Sequence, residues 1–301
     1  MKTERANAEM LKRYLEELRE ALTGADPALA QDALADTEAH LRMALEAAKE
    51  ADPQEDEGAA LERVLASFGT PAEVSEAWRT TEATVQKALK APPAPQASVP
   101  FFGILWNLKA YTSLFYMLTS IVTGIFAFTW VSTGLSLSVG LAVLIIGVPF
   151  FLFFMTTTRV LALAEGRLVE AMLDVRMPRR ARLMPQGDGL FAKAKALLKD
   201  RTTWLSLLYL ALKLPIGLIT FTVFTVLLSL TGGFIAAPFG HWIFGIPVVN
   251  SWEGHEFAVG TPGLILMLLL GLLGFVVVLH LARGAGKLLG SLAKLMLVPQ
   301  A

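Results

Sequence analysis

The sequence predicts an all-α protein in which a small soluble helical bundle precedes a four-span membrane domain, and three observations support this prediction. Of the 301 residues, 54% are hydrophobic and 17% are charged, which is too apolar for an ordinary soluble protein. The formal net charge of zero conceals a division, because residues 1–90 carry 19 acidic and 11 basic side chains, against 7 and 15 in the rest. The basic remainder also contains four long apolar runs.

The four apolar runs are each long enough to cross the roughly 30 Å hydrocarbon core of a bilayer as a helix. They lie at about 110–131, 135–157, 205–231 and 262–282. Ten Lys and Arg residues lie between the second and third runs, whereas the turn 132–134 and the loop 232–261 contain none. Because basic loops stay on the cytoplasmic side, both termini are expected to be cytoplasmic.

Helix start signals define the soluble part, residues 1–90, as a bundle of three or four helices. Asp26 and Pro27 supply an N-cap and a first-turn proline for one helix. Thr70, Pro71 and Glu73 form the pattern of a capping box at the start of another. The proline-rich stretch 91–104 is expected to be an extended linker to the membrane domain, which comprises residues 105–301.

The membrane domain resembles two copies of one unit, in which a span, an outer turn, a second span and an amphipathic exit helix follow one another. The entry segments match at an offset of 93 and the exit segments at an offset of 124. Since each unit begins and ends on the same side, these are parallel repeats, with an outer loop inserted in the second. Coincidence among apolar residues is the alternative. The matched pairs include Tyr116/Tyr209, Gly124/Gly217, Arg159/Arg283 and Gly166/Gly290.

The exit helices are candidates for contact with lipid headgroups. In the first, Leu161, Leu168 and Leu173 alternate with charged residues that include Glu165, giving one apolar and one charged face. The alternative is that these segments are only the inner ends of the spans, anchored by cations that reach toward the interface. The candidate headgroup ligands are Arg159, Arg167, Arg176, Arg179, Arg180, Arg283 and Lys287.

Lys213 is a charged residue inside the third predicted span. Its repeat partner is Ser120, so the two copies differ at a position where a charge is costly. A charge at membrane depth indicates a functional site unless the side chain reaches the interface. Both alternatives remain open at the level of sequence.

The outer loop 232–261 concentrates the remaining candidate ligand-sensing residues. They are His241, Trp242, Trp252, Glu253, His255 and Glu256. Histidine and carboxylate side chains can bind a metal ion or respond to pH, but the spacing matches no known zinc motif. The simplest interpretation is an interfacial loop whose aromatic residues lie on the outer leaflet.

Two segments resemble known families. The stretch "YLEELREAL" (14–22) with "FGTPAEVSEAW" (68–78) resembles a HAAS-type signalling domain, a cytoplasmic helical module usually fused to membrane segments and often encoded beside PadR-type transcriptional regulators. The stretches "LYLALKLPIGLITF" (208–221) and "NSWEG" (250–254) are similar to the "putative sensor" domain of bacterial histidine kinases. These resemblances imply a multi-pass protein of the bacterial inner membrane with a signalling role.

The sequence therefore predicts a non-enzymatic membrane regulator that senses a membrane or envelope signal and relays it through the bundle. No catalytic or nucleotide-binding motif is recognisable, and no cofactor is expected. The expected partners are membrane lipids and a cytoplasmic protein, either a transcriptional regulator or a membrane complex, without direct binding of nucleic acid; a homo-oligomer is also compatible with the sequence. The alternatives are a small transporter or an accessory subunit of a transport complex, with Lys213 lining a path, and a purely structural membrane protein.

The placement of basic residues makes the topology testable, because the chain contains no cysteine. A single cysteine at Asn250 should react with an impermeant reagent in intact cells. Cysteines at Gly187 and Gln300 should react only after permeabilisation. Labelling of position 187 from outside would contradict the four-span topology.

Overall fold

The computed structural model describes residues 2–52, 54–89, 101–144, 146–180, 189–252 and 255–298. It divides into an N-terminal bundle of four helices and a domain of long apolar helices. The all-α prediction is confirmed, with a single short hairpin among the described residues as the exception. Residues 91–100 of the predicted extended linker 91–104 lie outside the described residues. The prediction is wrong for residues 101–104, which begin a short 3-10 helix, Phe101–Trp106, because Ile104 is buried in the core of the membrane domain.

The bundle consists of α1 (Lys2–Ala21), α2 (Pro27–Ala51), α3 (Glu57–Phe68) and α4 (Pro71–Leu89). Its core contains two small groups of buried side chains, one around Tyr14, Leu41 and Val64 and one around Leu18, Leu22 and Ala33. The predicted caps are present. The Asp26 side chain accepts the N–H of Ala28 at 2.9 Å and so satisfies one of the free donors at the start of α2.

The capping box at the start of α4 also forms as predicted. Glu73 Oε2 accepts the backbone N–H of Thr70 at 2.8 Å, and Thr70 Oγ1 accepts the N–H of Glu73 at 3.3 Å. The hydrogen bonds from Thr70 lower the pKa of the Glu73 carboxyl below its usual value. Their contribution to stability is therefore present above the ordinary glutamate pKa and is lost as the pH falls through the lowered one.

A turn at Gly69 joins α3 to α4 and is hydrogen-bonded to a side chain of α1. Gly69 has φ +101° and ψ 172°, a backbone conformation that is accessible almost only to glycine. Its carbonyl accepts the Tyr14 hydroxyl at 2.8 Å, and the Tyr14 ring meets Phe68 edge to face. The sequence Phe-Gly-Thr-Pro-x-Glu thus has a structural explanation, because its members make the turn, its anchor and the next helix cap.

In the part of the chain that the structure describes, four helices are long and apolar enough to cross a membrane, as predicted: α5 (Leu108–Gly140), α6 (Gly147–Leu173), α8 (Arg201–Phe244) and α9 (Thr261–Leu297). The shorter α7 (Leu190–Lys199) precedes α8. We call the end at which α5 and α8 begin and α6 and α9 finish the basic end, because most of the described Lys and Arg residues of this domain lie there, Lys213 being an exception.

The predicted outer turns require correction. The helix α5 continues through 132–134 to Gly140, so that the first turn lies at 141–146 and includes a 3-10 helix at Leu141–Val143. The helix α8 continues through Pro238 to Phe244, so that the first part of the predicted loop 232–261 is helical. The strands β1 (Val249–Trp252) and β2 (His255–Ala258) form an antiparallel hairpin in the remainder. Uncharged residues such as Ser132 and Gly233 continue a helix without a break, which hydropathy alone does not show.

The packing of the long helices follows the internal repeat. The parallel helices α5 and α8 approach closely at two glycines in equivalent positions. A Cβ at Gly124 would lie 2.8 Å from the carbonyl oxygen of Lys213, and one at Gly217 would lie 2.6 Å from that of Ser120. These contacts are reciprocal, because Ser120 and Lys213 are also repeat partners. Small residues at such crossings let helix backbones approach, as is common in membranes.

The exit segments are continuous with their spans rather than separate helices on the membrane surface. The helix α6 runs unbroken to Leu173, and α9 runs unbroken to Leu297. Glu165, which was expected on the charged face, is instead buried at 4% exposure. The alternative interpretation, that these segments are the inner ends of the spans, agrees with the structure.

We expect the turn at Gly69 to limit the stability of the bundle. In a fragment of residues 1–90, Gly69→Ala should lower the free energy of unfolding by about 1–3 kcal/mol, because alanine is strained at φ +101°. The neighbouring exposed substitution Ser67→Ala should change it by less than about 0.5 kcal/mol. Circular dichroism during urea unfolding measures both values. Equal effects of the two substitutions would show that the turn conformation carries no strain penalty.

Candidate functional site

A buried ion pair lies inside the membrane domain. The Lys213 ammonium of α8 donates to the Glu165 carboxylate of α6, and the two side chains are 5% and 4% exposed. Lys213 is roughly 13 Å along the helix axis from Trp204 at the basic end. Its side chain is enclosed by the protein and paired with Glu165 rather than extended toward the surface, which favours the interpretation of Lys213 as an intramembrane charge.

Two tyrosines complete the hydrogen bonding of this pair. The hydroxyls of Tyr116 on α5 and Tyr209 on α8 both donate to Glu165 Oε1, at 2.7 and 3.4 Å. The Lys213 nitrogen also lies 5.8 Å from the centre of the Tyr116 ring, within the range of a cation–π contact. We call these four residues, Glu165, Lys213, Tyr116 and Tyr209, the buried cluster.

The internal repeat explains the geometry of the buried cluster. Tyr116 and Tyr209 are repeat partners, and the close crossing at Gly124 and Gly217 brings their helices side by side. Glu165 and Lys213 break the symmetry, since their repeat partners are Leu289 and Ser120. A symmetric pair of hydroxyls thus converges on one asymmetric ion pair.

Sequence reasoning identified Lys213 but missed Glu165 as its partner. A signal was present in the spacing, because Glu165 lies four and eight residues before Val169 and Leu173, which are both buried. Glu165 therefore shares the apolar stripe of α6 rather than its charged face. A buried acid at helical spacing from core residues indicates a buried cation elsewhere in the chain.

A small cavity of about 20 Å³ adjoins the buried cluster. It is lined by Tyr116, Ser120, Tyr209, Lys213, Ile216, Gly217, Leu289 and Leu292. This volume is enough for about one water molecule. In this state the cluster can hold a charge or a proton between polar partners, but it offers no path for a solute.

At the basic end, the acidic bundle is docked on the segment that follows α6. Asp32 of α2 is 4% exposed, and its Oδ1 accepts the consecutive backbone N–H groups of Arg179 and Arg180 at 2.6 and 2.8 Å. Its Oδ2 lies 3.2 Å from the Arg176 guanidinium. We call these two N–H groups and this guanidinium the anion cradle.

Further contacts surround the anion cradle. Arg180 pairs with Asp36 at 2.6 Å, and its carbonyl accepts the Gln31 side chain at 2.8 Å. Arg176 also lies 3.4 Å from Glu82 of α4. Lys294 at the end of α9 pairs with Asp26 at 2.6 Å. The opposite net charges of the two halves of the chain therefore meet in one interface.

Docking removes water from the Asp32 carboxylate, and this desolvation opposes the contact. Burial raises the pKa of Asp32 above its usual value, although the N–H groups of Arg180 and Arg179 and the charge of Arg176 oppose this. A raised pKa means that the contribution of this group to docking is greatest below the ordinary aspartate pKa and declines as the pH rises through the raised value. The hydrogen bonds of this contact are therefore partly offset by the loss of water from the Asp32 carboxylate.

A second cavity, of about 60 Å³, lies directly beside the docking interface. Its walls come from α2, α6, the segment after α6, the start of α8 and the end of α9. They include Gln31, Arg159, Met177, Pro178, Asp200, Ser206 and Leu297. A group that entered it would touch both the bundle and the membrane domain.

The other predicted headgroup ligands divide into two classes. Arg159 lies 3.6 Å from Asp200, the N-cap of α8, and Arg283 lies 3.5 Å from Asp174, the residue after α6. Arg179 also pairs with Glu170. Arg167 lies 3.5 Å from Glu170 but is exposed, as is Lys287. The structure thus places most of these cations in ion pairs within the chain.

The predicted outer-loop candidates remain separate from the buried cluster. His241 and the 45% exposed Trp242 lie near the end of α8, where His241 Nδ1 is 3.1 Å from the Ile246 carbonyl oxygen. The side chains of Trp252, Glu253, His255 and Glu256 lie outside the described residues. Among the side chains that are described, no group of three or more His, Asp or Glu residues could hold a metal ion.

We expect each charge of the ion pair to need the other in the folded membrane domain. Lys213→Met or Glu165→Leu alone should each destabilise the protein by about 3–5 kcal/mol, because each leaves one buried charge without its partner. The double variant should recover most of this loss. Thermal unfolding in detergent measures the cycle, with the exposed Arg167→Met as control. Additive losses in the double variant would show that the two charges are not coupled.

Comparison with protein families gives two matches. The HAAS family model matches residues 13–77, which run from α1 into α4. The family model described as "Putative sensor" matches residues 116–297, more than half of the chain, from Tyr116 of the buried cluster to the end of α9. No curated protein and no solved structure matches the chain significantly. The chain belongs to the sensor family, and its HAAS-type bundle and sensor domain together indicate a signalling or regulatory role in a membrane.

Proposed function

We propose that the protein is a non-enzymatic sensor of the bacterial inner membrane whose output is the release of the HAAS-type bundle from the basic end. The observation that carries this proposal is the pair of hydrogen bonds that the Asp32 carboxylate accepts from the backbone N–H groups of Arg179 and Arg180. It makes the contact between the two family domains specific rather than a diffuse attraction of opposite charges. A specific contact has a bound and a released state, which a switch requires.

The helix α6 links the buried cluster to the docking interface. It carries Glu165 within the membrane and runs directly into the segment that contains the anion cradle. Met177 of this segment is fully buried, and its side chain covers Gly166, the residue next to Glu165. A shift of α6 that accompanies rearrangement of the ion pair would therefore move the cradle as well.

The proposed stimulus is a membrane or envelope signal that changes the packing of α6 against α8. Pro215 and Gly217 lie close to Lys213 on α8 and allow this helix to bend near the cluster. Signals that arrive at the outer loop, where His241 and Trp242 lie, would reach Lys213 along the same helix. A stimulus acts on this switch only if it favours either the docked or the released state of the bundle over the other.

The proposed receiver is a cytoplasmic protein, either a transcriptional regulator or a membrane complex. Release would expose the acidic face of α2, including Asp32 and Asp36, which the basic end covers in the docked state. This assignment requires both termini to be cytoplasmic, as the placement of Lys and Arg predicts. A partner with a basic surface suits that face.

The alternative function is a small transporter or an accessory subunit of a transport complex. Lys213 would have to line a route for a solute in that case. Its ammonium is instead bound by Glu165, and the adjoining cavity holds about 20 Å³. These observations favour the sensor.

Removal of Asp32 should release the bundle. Spin labels on cysteines at the exposed positions Met43 and Leu288 report the distance between the bundle and α9 in the otherwise cysteine-free chain. Asp32→Ala should shift the distance distribution to longer values, since the cradle loses its carboxylate. Glu46→Ala, which removes an exposed charge from the same helix, should leave the distribution unchanged. An unchanged distribution in Asp32→Ala would refute the proposed switch.

The coupling between the cluster and the interface has its own test. The double variant Glu165→Leu with Lys213→Met removes both charges without leaving either one unpaired. In the labelled protein it should alter the ratio of docked to released bundle, with the exposed Lys195→Met on α7 as the control. If the ratio stays that of the unsubstituted protein, α6 does not transmit the state of the cluster.

A further inference from the structure

The anion cradle is a binding site formed entirely by the membrane domain. Its two N–H groups belong to consecutive residues after Pro178, and such paired N–H groups form a concavity that favours an anion. Arg176 adds a guanidinium that is 16% exposed. The structure shows the cradle occupied by an anion, the carboxylate of Asp32.

The cradle is anchored independently of the bundle. Arg176 lies 3.5 Å from Glu170 of α6, and the buried Met177 fixes the chain between the guanidinium and the N–H groups. Release of the bundle removes the three acidic groups that it contributes, Asp32, Asp36 and Glu82. Among the acidic groups described around the cradle, Glu170 alone then remains to balance its three arginines. The net charge of these groups around the cradle then changes from negative to positive.

The neighbourhood of the cradle is that of a membrane interface. Trp106 and Phe102 are 83% and 59% exposed just before α5 begins, and Trp204 is 46% exposed near the start of α8. Tryptophan and other aromatic residues at the ends of spanning helices lie at the level of the lipid headgroups. The side chains of Arg179 and Arg180 are 47% and 61% exposed at this end.

We propose that the cradle binds the phosphate of an anionic lipid headgroup, which competes with Asp32 for the same N–H groups and guanidinium. The proposal deepens the proposed function, because it rests on release of the bundle and names the ligand that favours it. The phosphodiester of such a headgroup has two non-bridging oxygens that share one negative charge, so it can accept the same N–H and guanidinium hydrogen bonds as a carboxylate. It also carries its charge at the level of the headgroups, where the basic ends of spanning helices lie. The bundle and an anionic membrane are then alternative occupants of one site.

The raised pKa of Asp32 agrees with such an exchange. Its carboxylate loses hydration on docking and regains it on release. A lipid phosphate at the interface keeps part of its hydration, and each nearby Lys or Arg adds to the attraction of an anionic surface. Anionic lipid therefore shifts the balance toward release.

The first experiment measures docking in the full chain labelled at Met43 and Leu288. Nanodiscs of phosphatidylcholine are compared with nanodiscs in which roughly one third of the lipid is phosphatidylglycerol, at equal ionic strength. The anionic lipid should lower the ratio of docked to released bundle on the order of tenfold. Inorganic phosphate added to phosphatidylcholine nanodiscs separates the headgroup from free phosphate, and an effect of phosphate alone would overturn the assignment to lipid.

The second experiment measures lipid binding directly, by native mass spectrometry of the full chain titrated with phosphatidylglycerol. Asp32→Ala empties the cradle and should tighten binding on the order of tenfold. Adding Arg176→Gln should cancel this gain, whereas Lys287→Gln, which removes an equal but exposed charge outside the cradle, should not. Equal effects of the two cation substitutions would reduce the site to general charge attraction and overturn the proposal.

The two experiments distinguish this proposal from the proposed function. If Asp32→Ala releases the bundle but neither docking nor lipid binding responds to phosphatidylglycerol, the switch stands and the lipid site is refuted. If Asp32→Ala binds the lipid more tightly but the bundle stays docked, the lipid site stands and the switch is refuted.

Discussion

The cost of a charge inside hydrocarbon governs the arrangement of the membrane helices. Lys213 and Glu165 are nearly fully buried, and neither could remain charged there without the other. Their ion pair therefore fixes the depth and rotation of α6 relative to α8. Tyr116 brings α5 into the same hydrogen-bond network, so that three of the four spanning helices meet at one carboxylate.

The internal repeat supplies the frame in which this pair forms. The reciprocal approach of Gly124 to Lys213 and of Gly217 to Ser120 sets α5 and α8 side by side as equivalent partners. A symmetric frame alone would give a symmetric core. The protein instead places two opposite charges at positions whose repeat partners are the uncharged Leu289 and Ser120. The interface between α6 and α8 therefore contains an ion pair that its repeat counterpart lacks.

The helix α6, which carries the buried Glu165, ends next to the surface on which the soluble bundle is docked. The chain between Glu165 and Arg180 contains core residues, an αL residue at Asp174 and the cradle that holds Asp32. Docking is thus an electrostatic contact at the membrane surface, while the ion pair is an electrostatic contact within the membrane. Loss of water from the Asp32 carboxylate opposes the first contact. In the second, the Glu165 carboxylate is compensated by the Lys213 ammonium and by two tyrosine hydroxyls.

The sequence by itself determined the composition of the two domains, the number of spans and the helix caps of the bundle. These features depend on local properties: hydropathy over about 20 residues, cap residues such as Asp26 and Thr70, and the repeat spacing that pairs Tyr116 with Tyr209. Lys213 was found in the same way, because a charge is visible within an apolar run. The helix ends at Gly140 and Phe244 were not found, because uncharged loop and helix residues have similar hydropathy.

Only the tertiary structure decided which groups meet. Glu165 looked like one charge of an amphipathic face until the packing of α5, α6 and α8 enclosed it beside Lys213. Asp32 looked like one of many acids in an acidic bundle until its docking placed it on two backbone N–H groups that no sequence pattern marks. Both contacts join residues far apart in the chain, and their energies depend on burial, which is a property of the assembled helices rather than of any one segment.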